Sequence, residues 1–172
     1  MPESYRNRET RCLLLDWGDT VMRVFPEYEG PMLAWPRVEA IEGITEALTR
    51  LRPDWTIALA TNAADSEERD IWSALARAGL GELIDRVYCF RGVGHRKSVP
   101  EYFEQILAHL EIEPNRAVMV GDDFEADVLS ANRSGIRAIW FDENAAELST
   151  GAMHRTISNL HELPEALELL VG

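Results

Sequence analysis

Lysine is almost missing from this sequence: a single one, Lys97, stands against sixteen arginines. Positive charge is scarce in general, 17 basic residues facing 30 acidic ones for a formal charge of −13. Such a chain repels polyanions, so nucleic acid and anionic membrane surfaces are excluded as partners, and any phosphate site must be built locally. Only two cysteines are present, Cys12 and Cys89, each inside an apolar run, which points to buried thiols and not to a disulfide framework. No His/Cys spacing of the zinc-binding kind occurs. No apolar run approaches the length of a membrane span, and residues 1–10 are polar, unlike an export signal, so a cytoplasmic protein is expected.

What is present is ordinary for a soluble globular chain: 46% apolar and 27% charged residues over 172 positions. Against that background one stretch stands out. Asp16-Trp17-Gly18-Asp19-Thr20 directly follows the apolar run Cys12-Leu13-Leu14-Leu15. A buried strand ending in carboxylates and a hydroxyl puts reactive oxygens where open α/β sheets bind their ligands. Carboxylates gathered in a crevice need a cation or hydrogen-bond donors to compensate them. The lone ammonium of Lys97 is suited to that task, because a compact point charge fits among oxygens where a guanidinium does not.

Residues 1–10 read as a tail and 11–172 as one catalytic domain. Strands are predicted at 11–17, 55–60, 84–90, 116–120 and 136–141. Residues 20–25 read as an extended flap and 26–36 as a turn-rich stretch. Ile44, Leu48 and Leu51 share a helical face. Asp65-Ser66-Glu67-Glu68 and Ser98-Val99-Pro100-Glu101 both look like capping boxes opening amphipathic helices. A further helix runs from Asp123 to a C-terminal cap at Gly135, and a last one starts at Asn159. Strands alternating with helices predict an α/β, doubly wound three-layer sandwich, its central sheet mainly parallel and of five or six strands.

Parallel strands all point their carboxyl ends one way, so their polar endings converge: Asp16 to Thr20, then Thr61 and Asn62, then Asp122 and Asp123. Asp127 follows Asp123 by one helical turn and shares its face. Oxygen ligands without nitrogen or sulfur favour a hard cation, with Mg²⁺ the usual choice beside phosphate.

The order of these pieces resembles the haloacid dehalogenase superfamily of phosphohydrolases across about residues 11–171. The matching pieces are Leu15-Asp16-x-x-Asp19-Thr20, Ala60-Thr61-Asn62, Arg96 to Glu101, and Gly121-Asp122-Asp123-x-x-x-Asp127, with the run Thr156 to Leu163 similar to the family's C-terminal end. The resemblance implies a Mg²⁺-dependent phosphatase. Asp16 would be the nucleophile that carries the phosphoryl group. Asp16, the Gly18 carbonyl and Asp122 would hold Mg²⁺, with Asp127 or Asp123 completing or orienting the shell. Thr61 and Asn62 would bind phosphate oxygens, and Lys97 would offset the charge on Asp16 and the phosphoryl group.

Two departures from the family pattern matter. The phosphatases usually carry a second aspartate, as general acid and base, where this chain has Gly18; the carboxylate sits one place on, at Asp19. Either Gly18 adopts backbone angles closed to other residues and lets Asp19 take over as acid/base, or Asp19 merely caps the turn and turnover is slow. The first reading leads by a little. The second departure is size: residues 26–37 are too short for a helical cap domain, and 61–97 hold only a helix and a strand. A capless site is open, suited to a small or macromolecular phosphorylated substrate and compatible with a homodimer. Phe25, Tyr28, Trp35 and Pro36 form either a partial lid or a loop packed on its own core.

Other features have plainer readings. His95, His109, His154 and His161 are structural or exposed, and Arg91 and Arg96 form salt bridges. Asp65, Glu67 and Glu68 complement a helix dipole. Trp17, next to the nucleophile, lies near the crevice. Among rival functions, a dehalogenase wants a closed apolar pocket and no metal, which the extra aspartates and missing cap oppose. A signalling receiver domain has its acid pair on the first strand and the acceptor on the third, whereas here the acids sit on the first and fourth. A binding or regulatory protein that kept the fold and lost efficient catalysis is the alternative that Gly18 keeps open.

Overall fold

The computed structural model describes residues 10–145 and 150–172. Most of the expected tail lies outside the described residues. The first strand, β1 (Arg11–Leu15), is followed by an extended turn, a short 3₁₀ turn at Met32–Ala34 and helix α1 (Ile44–Leu51). Then come β2 (Trp55–Thr61), α2 (Glu68–Arg77), β3 (Arg86–Cys89), a single turn α3 (Phe90–Val93) and α4 (Pro100–Leu110). The remainder comprises β4 (Ala117–Gly121), π-helical turns at Phe124–Leu129 running into α5 (Ser130–Arg133), β5 (Arg137–Phe141), β6 (His154–Ile157) and α6 (Leu163–Val171). The six strands form one all-parallel sheet in the order β3-β2-β1-β4-β5-β6. The fold is the expected α/β sandwich with no large cap.

Both faces of the sheet are covered, so the strands are apolar on both sides. Alternation divides them: Leu13, Leu15, Ile57, Leu59, Val118 and Val120 face one core, with Ile44, Leu48, Ile71, Leu75 and Leu163 from α1, α2 and α6. Cys12, Leu14, Ala58, Ala60, Ala117 and Met119 face the other, with Tyr102, Phe103 and Ile106 from α4. The alanines on this second face make room for the two rings, which meet edge to face. Both cysteines are buried and unbridged, and burial pushes the Cys12 thiol up to about 12.

Strand order matters most for function. The chain leaves β1 for β2 and β3 on one side, then returns to lay β4 on the other. The carboxyl ends of β1 and β4 therefore flank the point where strand order reverses, the crevice in which such sheets bind ligands. Asp16 N–H donates to the Val120 carbonyl at 2.8 Å, which continues the β1–β4 pairing one residue beyond the strand.

Helix caps depart from expectation. The cap of α2 is Glu67, paired reciprocally with Asp70, so the box lies two residues beyond Asp65. Helix α4 is preceded by Val99, which cannot cap, and Ser98 is exposed without a capping bond; Pro100 in the first turn starts this helix instead. The segment after β4 is not a regular helix but a π-helical one, ending as expected at Gly135, whose φ of 77° suits glycine. We expect Asp70→Ala to lower stability by about 1 kcal/mol. Ser98→Ala should stay within about 0.5 kcal/mol of the parent. Denaturant midpoints of the two variants check the pair.

Candidate active site

Four side chains meet at the reversal point. Asp16 extends from β1, Asp122 from β4, and Asp127 from the π-helical turns, while Lys97 comes from the turn before α4. Lys97 Nζ donates to Asp16 Oδ1 and to Asp127 Oδ1, both at 2.6 Å. Its side chain is 3% exposed and that of Asp127 is 1% exposed. Burial acts against the ammonium, but the two carboxylates outweigh it and hold its pKa above the ordinary lysine value. One oxygen from each of Asp16, Asp122 and Asp127 lies within 4.8 Å of the others.

The carboxylates are under strain of charge. Loss of water and then the neighbouring Asp16 push the Asp122 carboxyl up to about 7. The same two causes, in the same order, push Asp127 up to about 7 despite Lys97. Three carboxylates against a single ammonium leave an excess of negative charge, and an all-oxygen donor set with such an excess fits a hard divalent cation. Asp16 and Asp122 are the members best placed to hold one. Asp127 is spoken for on both oxygens, since Oδ2 accepts the Asp123 N–H at 3.1 Å. A Cβ on Gly121 would fall on that carboxylate, so only glycine lets Asp127 lie against the end of β4.

The remaining expected residues divide. Thr61 is buried at the end of β2, and its Oγ1 accepts the Ala63 N–H at 3.1 Å, which leaves its own O–H free to donate. Asn62 Oδ1 accepts the backbone N–H of Lys97 at 2.8 Å, a positioning role that sequence gave no sign of. Thr20, also without an assigned role, donates to Asp122 Oδ1 at 3.2 Å. Asp123 caps the π-helical turns by accepting the Ala126 N–H. Trp17 lines the cleft, as its neighbour Asp16 required.

All of these except Thr20 line a cleft of about 410 Å³ that also takes in Gly18, Val24, Met32 and Trp35. A larger hollow of about 930 Å³ opens at the opposite, amino-terminal ends of β1 and β2, beside Arg11 and Trp55, away from the carboxylates. The stretch 26–36 combines the two roles weighed for it: Met32 and Trp35 belong to the core and also wall the cleft. Arg91 donates to the Ala64 carbonyl and faces Glu67, and Arg96 lies over the Phe90 ring.

Comparison with known proteins fits this geometry. A family model described as haloacid dehalogenase-like hydrolase matches residues 7–141. The chain belongs to the haloacid dehalogenase-like hydrolases. A ribulose-1,5-bisphosphate 5-phosphatase of Halopiger xanaduensis is 33% identical over 99 residues, 58% of this chain and 40% of that protein. A phosphoserine phosphatase of Thermus thermophilus is 33% identical over 108 residues, 63% of this chain and 40% of that protein. The chain thus spans about two fifths of the length of these curated relatives. An uncharacterized protein of Listeria monocytogenes serotype 4b superposes with a TM-score of 0.79 at 27% identity, over 93% of this chain and 98% of that one. A magnesium-bound HAD-hydrolase of Bacillus subtilis shares the fold, with a TM-score of 0.65 at 19% identity over 75% of this chain and 55% of its own.

Within this haloacid dehalogenase-like site, Gly18 and Asp19 do not behave as the leading expectation had it. Gly18 is not in the left-handed region; Asp19 is, at φ 55°. A Cβ at 18 would come within 2.9 Å of Val24 Cγ2, so any other residue there would have to push that exposed valine aside. Asp19 turns away from the carboxylates: its Oδ1 accepts the Val24 N–H at 2.9 Å, and the residue does not line the cleft. Aspartate and asparagine tolerate left-handed backbone because a short polar side chain bonds locally, and that is what Asp19 does. We expect Asp19→Ala to cost about 1–2 kcal/mol of stability. Asp19→Asn, which keeps both the acceptor and the backbone preference, should stay within about 0.5 kcal/mol of the parent by thermal denaturation.

Proposed function

We propose that this hydrolase cleaves phosphomonoesters with Mg²⁺, through an aspartyl-phosphate on Asp16. The observation that carries the reading is the pairing of Lys97 with Asp16 beside Asp122. A nucleophilic carboxylate must approach an anionic phosphoryl group, and that repulsion has to be cancelled locally in so acidic a protein. The carboxylates of Asp16 and Asp122 and the Gly18 carbonyl, which accepts no hydrogen bond among the described residues, are the proposed cation ligands. Mg²⁺ bound there supplies Lewis-acid stabilisation of phosphoryl oxygens.

The chain's own groups account for the rest. The Asp16 carboxylate attacks phosphorus, and the bond from phosphorus to the leaving oxygen breaks with its electron pair on that oxygen. Thr61 O–H and the Asn62 amide donate to the phosphoryl oxygens, and Lys97 offsets their charge. Water then attacks the acyl phosphate, which releases inorganic phosphate and restores Asp16. Proton delivery to the leaving oxygen is the weak point, since Gly18 has no side chain and Asp19 serves its turn. Acid–base assistance contributes about 10²–10⁴ in rate, so turnover is slow and solvent supplies the proton. The same weakness favours a second reading, a binding or regulatory protein that keeps the cation and barely turns over.

Hydrolysis of 4-nitrophenyl phosphate should require Mg²⁺ and fall by roughly 10³-fold in Asp16→Asn, while Asp19→Asn stays within about threefold. Mg²⁺ that raises the melting temperature without any hydrolysis would favour the binding protein instead. Cation affinity should also depend on pH. Asp122 carries a carboxyl raised to about 7, so below that pH a proton occupies its oxygens and the cation must displace it. Apparent Mg²⁺ affinity should therefore rise by about tenfold per pH unit from pH 5.5 to 7 and level off above pH 8. Titration calorimetry across that range, with proton release read from buffers of different ionisation enthalpy, tests the sign.

A further inference from the structure

The cleft has two unlike walls. Asp16, Lys97 and Asp122 form one, and Val24, Met32 and Trp35 form the other. The apolar wall is fixed in place. Trp35 Nε1 donates to the Gly30 carbonyl at 3.0 Å, and the rings of Phe25 and Tyr28 pack against it with centroids 6.4 and 5.6 Å away. Arg77 of α2 donates to the Leu33 carbonyl at 2.7 Å, which ties the segment to a helix of the main body. A preformed apolar surface lining the same cleft as the reacting group is a seat for the part of the substrate that leaves.

Charge narrows what that part is. Asp16, Asp65, Asp122, Asp123 and Asp127 line the cleft, and Lys97 is the only cation among the described residues that line it, already shared between two of them. The arginines near this mouth are engaged elsewhere. Arg23 forms a two-pronged pair with Glu143, and Arg37 pairs with Glu39 and covers the Phe25 ring. Arg91 is bonded to the Ala64 carbonyl. None of the three lines the cleft, and neither does Arg96, which lies over the Phe90 ring. One phosphoryl group with its cation is accommodated, but a second anionic group on the same substrate would meet carboxylates with no counter-charge.

We infer that the cleft selects phosphomonoesters whose leaving alcohol is flat, apolar and free of negative charge, seated on Val24, Met32 and Trp35. This rests on the phosphatase reading above. The test compares three primary alkyl esters with Mg²⁺: 2-phenylethyl phosphate, ethyl phosphate and phosphoglycolate. The phenylethyl ester should exceed both others in kcat/KM by at least about tenfold, its gain over ethyl phosphate residing in KM. Trp35→Leu should raise KM for the phenylethyl ester by about fivefold and leave that for ethyl phosphate within about twofold. Val24→Ser, at the exposed rim, gives the same readout should the tryptophan variant not fold. Asp65→Asn, an exposed change, should narrow the gap to phosphoglycolate by about two- to threefold. Phosphoglycolate turned over as well as the phenylethyl ester, with both reactions dependent on Mg²⁺ and Asp16, would overturn the selectivity and leave the phosphatase standing. Absence of Mg²⁺- and Asp16-dependent hydrolysis of every ester, 4-nitrophenyl phosphate included, would overturn both.

Discussion

Lys97, buried between Asp16 and Asp127, is the contact on which the candidate site depends. An ammonium taken out of water is strongly unfavourable unless opposite charge and hydrogen bonds replace its hydration. Here two carboxylates do so at 2.6 Å each, and the backbone of the same residue is fixed by Asn62. The contact joins three segments far apart in sequence: the end of β1, the turn before α4 and the π-helical turns after β4. Losing the ammonium leaves both carboxylates without their shared partner, and losing either carboxylate leaves the ammonium only one. A chain that uses arginine nearly everywhere has its one lysine at this place, where a compact cation is the only kind that fits.

Around that contact the charges of the described residues do not balance. Burial first, and the neighbouring Asp16 second, push the carboxyls of Asp122 and Asp127 up to about 7. A divalent cation would relieve the excess of negative charge, which is the physical link between a raised carboxyl pKa and a metal requirement. The apolar wall on the other side adds no charge and cannot relieve it. The proposed selectivity and the proposed cation site thus rest on the same shortage of positive groups.

Much of this was legible in the sequence, and the misses share a cause. The strands, the period-two division of Leu13 and Leu15 from Cys12 and Leu14, and the carboxylates at strand ends follow from local pattern. The capping box at Asp65 gives way to one at Glu67 because several residues of that stretch can cap, and the one at Ser98 fails because the helix starts a residue later, at Pro100 after Val99. The π-helical turns at Phe124–Leu129 have no compositional sign; they go with the placing of Asp127 between Gly121 and Lys97. Gly18 looked like a backbone hinge, yet what bears on it is the nearness of Val24, a contact no spacing rule contains. Asn62 as an acceptor for Lys97 N–H, and Thr20 as a donor to Asp122, join residues 35 and 102 positions apart.

The sequence by itself determined the class of fold, the carboxylates at the strand ends and the uniqueness of the ammonium, since these depend on residue type and on short-range period. Tertiary structure alone decided which carboxylates share that ammonium, that Asp19 serves the turn, and that Met32 and Trp35 wall the cleft. Those outcomes are set by distances between segments that only the packed sheet brings together. Burial then converts such distances into energies, through desolvation and charge, that no local reading of the chain contains.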